Sequence, residues 1–178
     1  EKVISPTTPF PVSEAQRVVA YKYLGAILAT LSRRDTAITF FVAAIGRDPL
    51  VDLDRSFGEQ ERQVFQEARG RAFRIGMRPI VRDTLDPRSE RTNFTIASTH
   101  NGLVRVELVS TFDDSRITLF EGDVDGPRDI PFNGLSPRGG GLIPRGTYDL
   151  VVTGQSRTRE QQSDSTSRLI EIGWDRAA

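Results

Sequence analysis

Residues 132–152 read FNGLSPRGGGLIPRGTYDLVV, and this stretch decides between two different folds. A glycine loop that binds phosphate needs a helix directly after the glycines, because the free amides and the helix dipole hold the anion. Here Pro144 follows shortly after the glycines at 139–141, and an alternating strand pattern begins at Thr147. The stretch therefore predicts a turn between two strands of a β-sandwich, with Tyr148 pointing inward and its hydroxyl bonded to the backbone.

The strand pattern extends over the whole second half of the chain. Apolar and polar residues alternate in seven short segments that are separated by Gly, Pro, Asp and Asn, at about 78–83, 92–98, 103–110, 115–121, 128–133, 147–153 and 167–174. Seven half-buried antiparallel strands in a segment of this length are typical of an immunoglobulin-like (Ig-like) sandwich.

Residues before 75 show helical periodicity instead. Ser13 and Gln16 form a predicted capping box, and the helix that follows is predicted to end near Leu31. We expect its apolar stripe to be buried: Val19, Ala20, Tyr23, Leu24, Ile27, Leu28 and Leu31. A second helix is predicted at 36–45, apolar almost all round, and a third from a capping box at Ser56 to about residue 73.

The sequence thus predicts a segregated α+β fold. Residues 1–12 form an extended Pro-rich N-terminal segment, 13–75 a three-helix hairpin-type domain, and 76–178 a seven-stranded antiparallel Ig-like β-sandwich.

Composition excludes several classes of function. The chain of 178 residues carries 24 basic and 24 acidic residues, so it lacks the basic excess with which proteins bind nucleic acid. Thiol catalysis and thiolate metal sites are excluded, because there is no cysteine. The most apolar run, residues 18–31, is shorter than the about 20 residues that span a bilayer. Partners are therefore expected to be proteins, with no nucleic acid and no direct membrane span.

Residues that carry chemistry are sparse. His100 is the only histidine, lies in a predicted turn, and has no recognised nucleophile or orienting carboxylate near it in the sequence. Asp123 and Asp125 resemble the start of a calcium loop that lacks its closing glutamate, and Asp113 and Asp114 would add ligands only if the loops met. We expect no enzyme activity, no cofactor and no catalytic residue; calcium binding stays an open alternative.

Two parts of the chain resemble known bacterial families. Phe132, Asn133 and Gly134, followed by the glycine turn and by residues 145–152, resemble the end of Ig-like domains of the flagellar hook-capping type, over roughly residues 92–174. Phe132 stands where those domains usually have Trp. The resemblance implies an assembly or adhesion module of an exported protein.

The helical part resembles the last unit of tetratricopeptide-like (TPR-like) envelope proteins. Ala43 and Ala44, then Asp48 and Pro49, then residues 65–69 carry this resemblance. It implies one degenerate helical repeat followed by a capping helix, and a role in protein–protein interaction.

The expected function is that of a non-catalytic accessory or scaffolding subunit of a larger, membrane-associated bacterial envelope assembly. A photosynthetic reaction-centre complex is one of several such assemblies. The chain would lie on the periplasmic or extracellular face of the membrane. The expected partner-binding residues lie in the N-terminal segment and the second helix: Pro6, Pro9, Phe10, Phe40 and Phe41. The alternative is a carbohydrate-binding or adhesion module, for which Phe120 is the candidate outward aromatic.

Overall fold

The computed structural model describes residues 12–78, 84–85, 92–159 and 162–173. The chain divides into two compact units, Glu1–Arg74 and Ile75–Ala178. The division falls one residue before the predicted boundary at 75/76. All described helices belong to the first unit and all described strands to the second, so the fold is a segregated α+β arrangement.

Three helices form the first unit: α1 (Glu14–Thr30), α2 (Arg34–Arg47) and α3 (Glu59–Arg69). The predicted capping box at the start of α1 is confirmed, because the Gln16 amide donates to Ser13 Oγ at 3.2 Å and the Ser13 amide donates to Gln16 Oε1 at 2.8 Å. The capping box predicted at Ser56 is wrong. Its hydroxyl donates to the Asp54 carboxylate instead, and Gly58 is the N-cap of α3.

The core of the helical unit is centred on two phenylalanines. The rings of Phe41 and Phe65 meet edge to face, with centroids 5.1 Å apart at 88°. Gly25 of α1 lies against the Phe41 ring so closely that a Cβ there would be 2.6 Å from Cδ1. The close approach of α1 and α2 therefore depends on the missing side chain at this position.

The second unit is one sheet of six strands within the described residues. The strands are β1 (Ile75–Met77), β2 (Thr84–Leu85), β3 (Thr92–Ser110), β4 (Arg116–Phe132), β5 (Gly146–Ser156) and β6 (Ser163–Ile172). Their order is β1-β3-β5-β6-β2, and β4 pairs with β3. All pairings are antiparallel except that of β2 with β6.

The predicted division into seven short strands is wrong in the middle of the sheet. The segments predicted at 92–98 and 103–110 are two parts of β3, and those at 115–121 and 128–133 are two parts of β4. Ser98 pairs with Gly126 and Gly102 pairs with Val124, so β3 carries extra residues between these pairs. A bulge of this kind bends a strand without ending it, which is why residues with turn preference lie inside both strands.

The buried face of the sheet follows the predicted alternation. The larger buried side chains of β3, β5 and β6 are Phe94, Ile96, Val104, Val106, Leu108, Tyr148, Leu150, Val152, Ile170 and Ile172. Tyr148 is 4% exposed and donates its hydroxyl to the Pro144 carbonyl at 2.8 Å, so its predicted inward position and backbone bond are confirmed. The glycines at 139–141 precede β5 and no helix, which contradicts a phosphate loop.

Candidate protein-interaction surface

Helix α1 is apolar on nearly all sides. Between residues 18 and 31 only Tyr21, Lys22, Tyr23 and Thr30 have a polar side-chain atom. The face towards α2 and α3 consists of the buried residues Val18, Gly25, Ala26 and Ala29. A soluble helix with no polar side needs cover around its whole circumference. In the described helical unit, α2 and α3 supply cover on one side.

The opposite side of α1 presents an exposed row of large apolar residues, which we call the α1 ridge. Its members are Val19, Tyr23, Ile27 and Leu31, with 49, 50, 55 and 62% of their surface exposed. They are four residues apart, so they form one row roughly 18 Å long. The prediction that this stripe is buried is wrong for these four residues, because two neighbouring helices cover half of a helix and not all of it.

The α1 ridge is held in place from the loop before α3 and from α3 itself. The ring of Phe57 lies 5.7 Å from that of Tyr23. Thr30 Oγ1 donates to Glu61 Oε1 at 2.6 Å, and Gln60 Nε2 donates to the Ala29 carbonyl at 2.8 Å. The hydrogen bond from Thr30 lowers the pKa of the Glu61 carboxyl. The ridge is therefore a preorganised surface, which reduces the entropic cost of binding.

The structure places the predicted partner-binding residues in different environments. Phe41 is 0% exposed in the helical core, so its assignment to an exposed interface is wrong. Phe40 is half-buried, with its ring 5.9 Å from that of Tyr21. The expected contacts at Pro6, Pro9 and Phe10 lie outside the described residues.

Sequence reasoning missed the α1 ridge because it assigned incomplete cover to α2. In the structure α2 has polar residues on its outer side, such as the exposed Thr36 and Thr39. The apolar run of α1 is longer than that of α2, and this length was the signal in the sequence that α1 has an exposed apolar face. A ring of apolar residues over four turns cannot be covered by a hairpin and one further helix.

An isolated exposed aromatic lies at the tip of the β3–β4 hairpin. Phe112 is 97% exposed, and its amide donates to Ser110 Oγ at 3.2 Å. Asp113 Oδ1 accepts from the Ser115 hydroxyl at 2.7 Å, and this bond is the main cause of the lowered pKa of the Asp113 carboxyl. These bonds cap the tip of the hairpin, but one exposed side chain does not make an apolar surface.

His100 contacts a serine that also accepts hydrogen bonds from two backbone amides. His100 lies inside β3, so its predicted position in a turn is wrong. Its Nε2 is 2.8 Å from Ser156 Oγ, but that oxygen also accepts from the amides of Thr158 and Arg159 at 3.2 and 2.9 Å. A serine oxygen with two amide donors has its lone pairs occupied. Ser156 therefore closes the turn after β5 and is poorly suited to be a nucleophile.

The acidic residues considered for calcium do not meet. Asp123 and Asp125 lie within β4, and Asp123 Oδ1 accepts from Arg157 Nε at 2.9 Å. Asp113 and Asp114 lie at the far end of the same strand, beyond Arg116. Within the part of the chain that the structure describes, no three His, Cys, Asp or Glu residues are grouped to hold a metal ion.

The strand unit also lacks an aromatic platform in its described residues. Phe120 pairs with Val106, which places it on the buried face, and the Arg128 guanidinium lies 4.6 Å from its ring. The prediction that Phe120 points outward is therefore wrong, because a bulge between Val106 and Glu107 shifts the alternation of β4. Phe112 alone is exposed among the aromatic residues described in this unit.

None of the helices in the described ranges is both long and apolar enough to cross a membrane. The sequence matches no protein-family model, and no curated protein matches it significantly.

Proposed function

We propose that this chain is a non-catalytic accessory or scaffolding subunit of a larger, membrane-associated bacterial envelope assembly, and that it acts through protein–protein contacts. The observation that carries this proposal is the α1 ridge, with four large apolar side chains about half exposed in one row. Contiguous apolar surface of this kind is typical of interaction sites, where a few anchors supply most of the binding energy.

The chemistry of the ridge favours a protein as its occupant. Its four members carry no charge, and the one polar atom is the Tyr23 hydroxyl. Tyrosine is enriched in the centres of protein interfaces because it combines a large apolar ring with one hydrogen-bonding group. The ridge offers no cluster of cations for phosphate or for an anionic lipid surface, both of which need Lys or Arg.

We further propose that the strand unit is an Ig-like sandwich and the helical unit a degenerate TPR-like repeat with a cap. Support for the first is the long bent β3, whose two parts have different neighbours, β1 and β5, on the side opposite β4. The bond from Tyr148 to Pro144 supports it as well, since tyrosine corners are a hallmark of such sandwiches. Support for the second is a helical hairpin followed by α3. Both resemblances favour the periplasmic or extracellular side of a bacterial membrane.

A carbohydrate-binding or adhesion module is the weaker alternative. Sugar-binding surfaces stack rings of the ligand on exposed aromatic side chains. Phe112 is the exposed aromatic residue among those described in the strand unit, and two acidic residues follow it directly. A single ring on a hairpin tip gives little stacking area, so this alternative has less support than the α1 ridge.

The proposal is tested with the full-length chain carrying an affinity tag, purified from membranes of the source bacterium. Ile27→Glu places a charge in the middle of the ridge. Glutamate is a good helix former, so the helix itself should not be weakened. The matched control is Leu169→Glu, because Leu169 on β6 is 58% exposed and Ile27 is 55% exposed. We expect stoichiometric partner chains with wild type and with the control, and their loss with Ile27→Glu. Retention of all partners by Ile27→Glu would exclude the ridge as the contact.

A further inference from the structure

The sequence contains two Asn–Gly dipeptides, at 101–102 and at 133–134, and leucine follows each of them. This dipeptide readily loses its side-chain amide, because glycine has no side chain that keeps its backbone nitrogen away from the asparagine. Both asparagines are exposed and both glycines are buried. Neither exposure nor local sequence distinguishes the two sites, so a difference in their reactivity must come from the hydrogen bonds and the conformation of the backbone.

The dipeptide at 101–102 is held inside the sheet. Gly102 pairs with Val124 of β4 on one side and with Ser156 of β5 on the other. The Asn101 carbonyl accepts from the Arg157 amide at 3.0 Å, on the side of β5. In a trans peptide the following N–H points the opposite way, so the Gly102 amide faces β4. Rotation of this peptide would break pairing with both neighbouring strands.

The dipeptide at 133–134 lies directly after the end of β4 and outside the strand pairing. Among the described residues, none bonds to the Asn133 carbonyl or accepts from the Gly134 amide. Gly134 has a φ of +74°, in the left-handed region that glycine adopts without strain. Its nitrogen can therefore turn towards a neighbouring side chain without the loss of a backbone hydrogen bond.

A hydrogen bond holds the Asn133 side chain over this peptide. Asn133 Oδ1 accepts from the Leu135 amide at 3.1 Å, which forms an Asx turn. The turn keeps the side-chain carbonyl carbon, Cγ, close to the Gly134 nitrogen. The Leu135 N–H also points at the oxygen on which negative charge develops when a nucleophile attacks Cγ. Donors placed in this way stabilise the transition state of such an attack.

We propose that Asn133 is a site of spontaneous covalent modification, at which the Gly134 nitrogen closes a succinimide ring on the asparagine side chain. The Gly134 N–H gives its proton to a base in the solvent, and the nitrogen forms a bond to Asn133 Cγ. The bond between Cγ and Nδ2 then breaks, and Nδ2 takes up a proton and leaves as ammonia. Water opens the ring at either carbonyl and gives isoaspartate or aspartate. The net reaction consumes one water and releases one ammonia, and no electrons are transferred.

Isoaspartate at this position disturbs the short hairpin before β5, because it adds an atom to the main chain. Leu135 and Leu142 pair across this hairpin, and the Gly134 carbonyl accepts from the Ile143 amide at 2.9 Å. Ile143 is fully buried, so a shift of the hairpin moves a core residue. We therefore expect isoaspartate to destabilise the strand unit. Aspartate keeps the length of the main chain, and its carboxylate still accepts from the Leu135 amide.

Peptide mapping of the full-length chain, incubated in water labelled with heavy oxygen, measures the two sites separately. Trypsin leaves Asn133 in the peptide 129–138 and Asn101 in the peptide 92–105. The same two peptides, synthesised and incubated alone, serve as references without a fold. We expect them to react at similar rates. In the folded chain Asn133 should react at least ~10-fold faster than Asn101, because a paired strand opens more rarely than a loop moves.

Two results of this measurement would overturn the proposal. One is an Asn101 that reacts as fast as Asn133 in the folded chain, and the other is an Asn133 that stays intact while its free peptide reacts. Asn133→Gln and Asn101→Gln are a matched pair of variants, since glutamine must close a larger ring and reacts more slowly. On isoelectric focusing, Asn133→Gln should lose most of the acidic species that wild type forms during incubation, and Asn101→Gln should keep them.

The effect on the hairpin is measured by urea denaturation of the isoaspartyl chain, which chromatography separates from the unmodified chain. It should unfold at a lower urea concentration than wild type. Asn133→Asp carries the same charge without the additional main-chain atom and should unfold close to wild type. Equal midpoints for all three would contradict a disturbed hairpin. These measurements use the chain without any partner, so their outcome is independent of the proposed function.

Discussion

Tyr148 offers the sharpest test of the strand unit, because one side chain combines burial with a single hydrogen bond. It is 4% exposed, and its hydroxyl donates to the Pro144 carbonyl at 2.8 Å. Tyr148→Phe keeps the ring and removes the bond, which costs about 1 kcal/mol, and up to about 3 kcal/mol if the carbonyl is left without a donor. Tyr148→Ala removes the ring as well and should cost about 3–5 kcal/mol.

The same residue predicts how stability depends on pH. Burial raises the pKa of the Tyr148 phenol above its ordinary value of about 10. Above that pH the phenol ionises in the unfolded chain while it stays protonated in the folded one, so stability is complete below about pH 10 and falls as the pH rises towards the folded pKa. Tyr148→Phe should remove this contribution to the loss of folding stability at alkaline pH.

Urea denaturation at neutral and at alkaline pH measures both effects. Trp174, the only tryptophan, supplies a fluorescence signal from this half of the chain. The control is Tyr23→Phe, because Tyr23 is 50% exposed and belongs to the other unit. A loss below about 1 kcal/mol for Tyr148→Ala would refute the buried position of Tyr148, since truncation of a buried aromatic costs several times that. An unchanged alkaline profile for Tyr148→Phe would refute the linkage.

Two further predictions concern the helical unit. Gly25→Ala should destabilise it by about 1–3 kcal/mol, because the new Cβ meets the buried Phe41 ring at 2.6 Å; a gain would contradict the close approach. Gly46→Ala is the control, since no atom lies within 4 Å, and it should stabilise by up to about 1 kcal/mol. Ser13→Ala should cost about 1 kcal/mol in thermal melts through loss of the cap on α1, and Ser13→Asp, which can cap, should restore most of it.

Local sequence signals predicted the elements well where a few neighbouring residues determine the geometry. Ser13 and Gln16 identified the start of α1, and the inward position of Tyr148 followed from the alternation of β5. The change from helical to strand pattern near residue 75 separated the two units. In each case the information lies within a few neighbouring residues, so no tertiary contact was needed to predict it.

Sequence reasoning failed where long-range pairing decided the outcome. His100 and Gly126 belong to segments with turn preference, yet both lie inside long strands, because pairing of β3 with β4 continues past the bulge. Phe41 and Ile27 are both large apolar residues on apolar helices, and the sequence did not tell which of them is covered. Their burial depends on where α3 packs, which local periodicity does not determine.

The central claim is that the exposed face of α1 is covered by protein in the native assembly. Hydroxyl-radical footprinting of the chain, free at high dilution and within its assembly in native membranes, tests this claim most directly. Val19, Tyr23, Ile27 and Leu31 should be oxidised readily in the dilute protein and strongly protected in the assembly, while Leu169, similarly exposed on β6, should react in both. Equal oxidation of the α1 residues in the two states would contradict the account.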